Sequence, residues 1–458
     1  MSSILGGLDS LQQTLAAQQY ALSITQRNVA NANNENYTRQ EAVFADSADA
    51  NSCSVTIRSL RDRYIDYSIS RESQSLGEQQ VASDALQQID AIMNENSGQG
   101  LQKALSDFYN SFNSLSATPE DLTLRQQVLA KATTLTTEFH RVSSAIQEVQ
   151  ASQNDEVETT IDEINGITSQ IAALNVKIGG AHASGSDEES LLRDDRQHLV
   201  EQLSGLIDVS YYDTQSGGIV VTTRQGGLLV AGDQSHILTQ NTMPGTTFSG
   251  VQLEGVDITS KLQSGKLAGL IDVRDNKTAG YLDALDDMAA TIISKVNEQH
   301  TKGIDLDANP GENFFAPFTQ TIPGSNAGAA QSISVALSNG RKIAASSSGT
   351  TGDGKNATLL WNMKDGLLMS SYRETISQFY AGLIYKIGSD EKSAADGVTT
   401  QTNILDQLKN QRAAATGVNL DEEATNIIKY QKAYQASAKF ASVLNTLSDV
   451  ILSLVGTT

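Results

Sequence analysis

The stretch ILGGLDSLQQTLAAQQYALSITQRNV, residues 4–29, places apolar side chains at Ile4, Leu8, Leu11, Leu15, Leu22 and Val29, with Gln18 and Thr25 filling the remaining positions of a 4,3 spacing. That spacing is the heptad seam of a coiled coil, and it predicts a long helix whose apolar edge is covered by another helix. Near the other end of the chain the pattern returns at Ile427, Tyr430, Tyr434, Ala441, Leu444, Ile451 and Val455, with Ser437 and Ser448 completing the alternation. The two ends are therefore expected to pair. Neither has enough charged flanking positions to be a self-sufficient soluble zipper, so each leaves Leu, Val and Tyr side chains for further helices to cover. The alternative is an intramolecular coiled coil in a stable monomer.

Composition supports long helices at both ends. The 458 residues suggest about three domains, and all 5 prolines lie between Pro119 and Pro323, leaving residues 1–118 and 324–458 without a helix breaker. The charge is −21, from 53 acidic against 32 basic residues, which repels phosphates and anionic lipid headgroups; neither nucleic acid nor a membrane is an expected partner. No run approaches the roughly 18 apolar residues of a membrane span, and the start MSSILGGLDSLQQTL lacks the basic region and cleavage site of a signal peptide. By those rules alone the chain reads as cytosolic. The single Cys53 excludes an intramolecular disulfide and offers no cysteine-based metal site.

Between the ends, residues 72–94 and 100–116 read as helices, and Thr118-Pro119-Glu120-Asp121 reads as a helix start. The next helix carries apolar residues at Val128, Leu135, Phe139, Val142, Ile146 and Val149, then slips phase to Val157, Ile161, Ile164, Ile171, Leu174 and Ile178. A continuous helix of that length would reach roughly 90 Å, a strut, with Gly179-Gly180 expected to end it. After a charged helix with Leu191, Leu192, Leu199 and Leu203, β-rich runs punctuated by Gly217-Gly218, Gly226-Gly227 and Gly255 predict an antiparallel β module. Heptad spacing resumes at Leu282, Leu285, Ala289, Ile292 and Val296. The expected fold is mainly α with a small inserted β domain. Its parts are a terminal coiled-coil domain (1–40 plus 420–458), a long helical domain (41–206 plus 276–419, irregular over 303–354) and the β module (207–275).

Three short motifs resemble functional sites and are discounted. Leu267-Ala268-Gly269-Leu270-Ile271-Asp272 spells the start of the LAGLIDADG nuclease signature, but Val273-Arg274-Asp275 follows, no second copy exists, and the net charge has the wrong sign for a duplex. Gly349 to Lys355 matches a P-loop up to its lysine, yet Asn356 stands where a hydroxyl must hold Mg²⁺; a loop with Asp353 or Asn356 capping the next helix is the simpler reading. Asp305-Leu306-Asp307-Ala308-Asn309 begins like an EF-hand loop, but Pro310 occupies the glycine site and Ala316 the bidentate glutamate site, so an Asx-turn is expected. The 5 histidines are scattered, and His182 and His198 bracket Asp187-Glu188-Glu189 as a solvated helix start. No catalytic residue, cofactor or metal is expected, and the chain is not read as an enzyme.

Two further stretches carry a family resemblance. Asn28-Val29-Ala30-Asn31-Ala32-Asn33, followed by Tyr37-Thr38-Arg39-Gln40, is similar to the motif NIANANTPGYTRQ of the axial proteins of the bacterial flagellum. Gly417-Val418-Asn419-Leu420-Asp421-Glu422-Glu423, with Tyr430-Gln431 and Tyr434-Gln435-Ala436-Ser437-Ala438-Lys439, resembles their terminal helix. Asn34-Glu35-Asn36 replaces the family's Thr-Pro-Gly, a departure that bears on the stiffness of the turn, although Asn36 can still adopt the left-handed conformation there. In the interior, Leu192 with Arg193-Asp194-Asp195-Arg196, then Gly265 to Asp275, Asn297, His300, Gly303 and Phe314-Phe315, resemble the hook-associated protein 1 branch rather than hook or rod proteins.

The resemblance implies a structural protein of the hook–filament junction, exported by the flagellar type III system without a cleaved signal peptide and polymerising outside the cell as a ring of identical subunits. It implies contacts with hook protein and hook-associated protein 3, and with a cytosolic export chaperone through the C-terminal helix. The subunit interface would use Leu8, Leu11, Leu15, Leu22, Asn28, Val29, Asn31, Tyr37, Ile427, Tyr430, Tyr434, Ala441, Leu444, Ile451 and Val455. The alternatives are another axial component, such as a hook or distal rod protein, and an acidic nucleotide-binding enzyme using Lys355.

Overall fold

The computed structural model describes residues 2–46, 53–93, 100–369 and 373–455. Helix α1 (Ser2–Ala30) leads to strands β1 (Gln40–Asp46) and β2 (Cys53–Ser59), then to α2 (Arg63–Met93), α3 (Leu101–Ala117), α4 (Leu122–Ser184) and α5 (Glu188–Leu206). Strands β3 (Val209–Asp213), β4 (Ile219–Thr223), β5 (Leu228–Ala231), β6 (Gln234–Ser235), β7 (Leu238–Thr242), β8 (Ser249–Leu253) and β9 (Val256–Asp257) follow. The chain closes with α6 (Lys266–Asp272), a π-helical turn (Val273–Lys277), α7 (Thr278–His300), α8 (Ala329–Ser332), α9 (Lys355–Asn362), α10 (Ile376–Thr416) and α11 (Leu420–Val455).

The mainly helical fold with a mid-chain antiparallel module is the one the sequence predicts. Helix α4 is a single helix of 63 residues. Its start is capped as expected: Asp121 Oδ1 accepts the Thr123 amide at 2.7 Å and the Leu124 amide at 3.3 Å. Its end differs. Gly179 and Gly180 lie inside the helix, because an internal glycine costs only about 1 kcal/mol and the buried Ile178 and Ala181 on either side hold the turn in place. The break comes at Gly185, whose φ of +65° suits a residue without Cβ.

The β stretch forms two sheets rather than one, with strand orders β3-β4-β5-β6 and β7-β8-β9. Gly217, Gly226 and Gly255 supply the left-handed positions between strands, at φ of 86°, 88° and 80°. A third sheet, the antiparallel β1–β2 hairpin pairing Gln40 with Ser59, lies in a segment the sequence reading left among helices.

By packing, the chain divides into two compact units. One comprises Met1–Ser75, Glu163–Leu238 and Thr400–Thr458; the other comprises Leu76–Asp162 and Thr239–Thr399.

The second unit holds the larger core. Phe108 and Phe112 of α3 meet Phe314 and Phe315 with ring centroids 5.0–5.8 Å apart. The irregular segment is thus anchored by aromatic burial instead of regular hydrogen bonding. Buried polar groups tie it down further. The Arg125 guanidinium donates to the carbonyls of Pro119, Gly340 and Ile343 at 2.6, 3.1 and 2.7 Å. Arg274, fully buried, donates to Asn154 Oδ1 at 2.9 Å and to the Ser249 carbonyl at 2.7 Å. His300 Nε2 accepts the Ala344 amide at 2.9 Å, which places its proton on Nδ1, 2.6 Å from the Glu312 carbonyl. Burial then pushes His300 down to about 4, so it is neutral at physiological pH.

The discounted motifs are structural in this unit. LAGLID is helix α6 itself, not a connection, and its glycine permits close packing: a Cβ on Gly269 would lie 2.8 Å from the Glu78 carbonyl of α2. In the P-loop-like segment, Asp353 Oδ2 accepts the Ser347 and Ser348 amides at 2.9 and 2.8 Å and the Ser346 and Ser348 hydroxyls at 2.9 and 2.7 Å. Asp353 also caps α9 through the Lys355 amide at 3.1 Å, whereas Asn356 is buried and donates to the Ala344 carbonyl. Those hydrogen bonds, Ser348 first, hold the Asp353 carboxyl far below the usual carboxylate range. The Asp305 carboxylate closes an Asx-turn, accepting the Asp307 and Asn309 amides at 2.8 Å each, and Asp307 pairs with Arg341.

Candidate assembly surface

The Tyr37-Thr38-Arg39-Gln40 loop organises the first unit, because its residues between them reach α1, α5, α10 and α11. Tyr37 donates its hydroxyl to Asn28 Oδ1 on α1 at 2.8 Å. The Thr38 amide donates to Asp194 Oδ2 on α5 at 2.9 Å. Arg39 binds Glu423 and Glu422 at the start of α11, at 2.7 and 2.6 Å, and its amide donates to the Thr416 carbonyl at the end of α10. Gln40 returns to Asn28, whose Nδ2 donates to the Gln40 carbonyl at 2.8 Å while its Oδ1 accepts the Gln40 amide at 3.1 Å. Asn28 is thus donor and double acceptor, a pattern that an ionised Asp, which has no donor, or an Ala cannot reproduce.

Electrostatics reinforce the loop. Burial, partly offset by Arg27, pushes the Tyr37 hydroxyl up to about 12. Burial opposes the Arg39 cation, but its bonds to Glu422 and Glu423 win and raise its pKa above the ordinary value. Behind it, Asp66 is held between Arg61 at 3.5 Å and Arg412 at 3.6 Å, and burial still pushes its carboxyl up to about 6.

The Asn34-Glu35-Asn36 turn does not use the left-handed conformation open to Asn36. Among the described non-glycine residues, only Glu254 and Ala308 have positive φ, so Asn36 is not left-handed. Asn34 instead makes an Asx-turn, its Oδ1 accepting the Asn36 amide at 3.1 Å.

Helices α1 and α11 pack together within the unit, joined by contacts such as Gln19 Nε2 to the Tyr434 hydroxyl at 3.2 Å. On α11 the covered stripe follows the expected register through Ile427, Tyr430, Tyr434, Ala441 and Leu444, with Tyr430 the most buried. On α1 the deepest line is Ala17, Ala21, Ile24 and Asn28, one residue ahead of the expected Gln18, Leu22, Thr25 and Val29; Thr25 is buried as well. Leu8, Leu11, Leu15 and Leu22 are consequently half-buried, and Val29 is 39% exposed. Asn28 and Tyr37 are buried inside the unit, while Asn31 is half-buried and donates to the Arg27 carbonyl. The side chains of Ile451 and Val455 lie outside the described residues.

A second apolar stripe on α11, which the heptad reading missed, leaves Phe440, Val443, Leu447 and Val450 57%, 54%, 49% and 49% exposed. Its 3,4,3 spacing was in the sequence but was overshadowed by the longer seam beside it. The charge distribution suits such surfaces. Residues 1–40 carry Asp9 and Glu35 against Arg27 and Arg39, and residues 420–458 carry Asp421, Glu422, Glu423 and Asp449 against Lys429, Lys432 and Lys439. The two ends therefore hold a net −1 of the chain's −21, so identical ends can approach without strong repulsion. No helix among the described residues is long and apolar enough to cross a membrane.

Comparison with known proteins agrees with this geometry. Residues 86–315 match the family model described as the flagellar hook-associated protein FlgK helical domain, and residues 409–454 match the flagellar basal body rod FlgEFG protein C-terminal model. Flagellar hook-associated protein 1 of Bacillus subtilis is 30% identical, over 100% of this chain and 99% of its own length. The Salmonella typhimurium protein of that name is 23% identical over 96% of this chain and 98% of its own. The solved structure of the flagellar hook junction protein FlgK from Burkholderia pseudomallei superposes with a TM-score of 0.67 at 17% identity, covering 75% of this chain and 99% of that one, which speaks to the fold. With one family model spanning half the chain and a full-length relative at 30% identity, the chain belongs to the flagellar hook-associated protein 1 (FlgK) family of structural flagellar components.

Proposed function

We propose that this chain forms the hook–filament junction, exported unfolded by the flagellar type III system and polymerising as a ring of identical subunits at the distal end of the hook. The observation that carries the reading is the apolar surface left over on both terminal helices: a half-covered leucine line on α1 and the exposed Phe440, Val443 and Leu447 on α11. Each such side chain contributes about 1.5–3 kcal/mol when fully buried, and neighbouring subunits are the occupants the near-neutral ends suit.

In this reading residues 1–40 and 420–458 are the assembly core, 41–206 with 276–419 the helical body, and 207–275 an outer β module. The proposed interface comprises the leucine line with Asn28, Val29, Asn31 and Tyr37 on one side and Ile427, Tyr430, Tyr434, Ala441, Leu444, Ile451 and Val455 on the other. Asn28 and Tyr37 act by fixing the turn. Before export, the exposed Phe440, Val443 and Leu447 of α11 suit a cytosolic chaperone that shields them; in the ring, hook protein lies on one side and hook-associated protein 3 on the other. Removing the gene tests the reading. Hooks without filaments, with flagellin lost to the medium, are expected; normal filaments overturn it, and antibody labelling confined to the hook or rod would assign the chain to another axial position.

A further inference from the structure

In a chain of charge −21, one groove of the first unit is lined by four arginines against three carboxylates, a small local excess of positive charge. It encloses about 360 Å³ between the start of α2, α5 and β3, and its walls include Arg61, Arg63, Arg193, Arg196, Tyr67 and Tyr211 together with the carboxylates discussed below. The two tyrosine rings stack at 4.7 Å and 38°. Every cation lining it is arginine and none is lysine. Tyrosine and arginine are the side chains that mark interface cores, since both bury large rigid surfaces and guanidinium binds carboxylates with two parallel bonds.

The carboxylates in the groove do not fill it. Asp213 is shared between Arg63 at 3.0 Å and Arg196 at 3.7 Å, Glu189 pairs with Arg193 at 2.7 Å, and Arg61 is held by Asp194 at 2.7 Å and Asp66 at 3.5 Å, which leaves Arg63 the most available cation. Arg63 nonetheless keeps 66% of its side chain exposed, and Tyr67 is 41% exposed.

The complementary feature lies on α4. Asp155, Glu158 and Asp162 are all exposed, and their 3,4 spacing puts them on one helix face. None of the three makes an ion pair among the described residues. Like charges at this spacing destabilise a helix, a cost that a cationic partner relieves.

We propose that the arginine–tyrosine groove of one subunit receives the Asp155–Glu158–Asp162 face of a second copy of this chain, a lateral contact separate from the apolar packing of the terminal helices. The proposal rests on the junction reading for its premise that copies assemble. The contact fixes which neighbour is accepted and at what rate more than it adds affinity, and it weakens as salt rises.

The test is a charge-reversal cycle in full-length chains, expressed in cells lacking their own copy and scored by filament-bearing hooks. Arg63→Glu and Glu158→Arg are each expected to reduce that number about tenfold. The two together should restore it to within about threefold of the unmodified chain. Both side chains are exposed, so each purified variant should melt like the unmodified protein. Normal numbers in either single variant, or a double variant no better than the singles, overturns the contact. A parallel Leu447→Asp chain separates the two readings: filaments lost there but kept in Arg63→Glu sink only the lateral contact, whereas filaments kept in every variant sink both.

Discussion

Asn28 illustrates how one side chain fixes a junction. Its amide group serves the Tyr37 hydroxyl, the Gln40 amide and the Gln40 carbonyl at once. Asn28→Ala leaves those buried groups without partners at about 1–3 kcal/mol apiece, so the variant should lose at least about 2 kcal/mol in urea unfolding followed by circular dichroism. His300 gives a pH signature. Its folded value of about 4 lies below the ordinary 6.5, so the unfolded chain takes up the proton first. Its contribution to stability is therefore complete above pH 6.5 and is lost as pH falls toward 4, to an extent of about 3 kcal/mol. A His300→Asn chain should show a flatter stability profile across that window in pH-dependent urea melts. Asp66 has the opposite sign: folding raises its value to about 6, so its contribution improves as pH falls from 6 toward 4. None of these environments was legible beforehand. The family motif marked Asn28 and His300 as characteristic residues, but which carbonyl or amide each meets depends on segments far away in sequence.

Among the elements, the long helices were legible and their partners less so. The heptads of α4 and its phase slip are visible in the sequence, and the structure bridges the slip with the buried Gln150 and Gln153. On α1 the leucines pointed one residue away from the most buried line. Heptad reading follows large apolar side chains, whereas the small Ala17 and Ala21 allow the closest approach, and adjacent stripes lie only about 100° apart on a helix. Glycines are informative where another backbone comes close. A Cβ on Gly354 would sit 2.1 Å from the Ser116 carbonyl, which explains the last glycine of the P-loop-like segment without any phosphate. Gly354→Ala should destabilise the protein by about 1–3 kcal/mol through forced displacement of α9 from α3, a loss that thermal melting would show, and should leave ATP binding undetectable as in the unmodified chain. Micromolar ATP binding that disappears in Lys355→Ala would instead restore the nucleotide reading.

At the scale of the whole molecule, most of the net charge lies away from the terminal segments that carry the exposed stripe of α11. The terminal segments carry a net −1, and the remaining −20 lies on the rest of the chain. The ends can thus associate while the rest resists indiscriminate collapse. Proline-free termini were the first sign of this division, and the charge count and the exposed stripe of α11 give it a physical basis. The most direct measurement uses full-length Leu447→Asp in cells lacking the native copy, with filaments counted by electron microscopy and stability measured on the purified chain. Because Leu447 is already 49% exposed in the single chain, its stability should change by no more than about 0.5 kcal/mol. We expect hooks without filaments and flagellin in the medium. Filaments in normal number on a correctly folded Leu447→Asp protein would contradict the assignment of these helices to assembly.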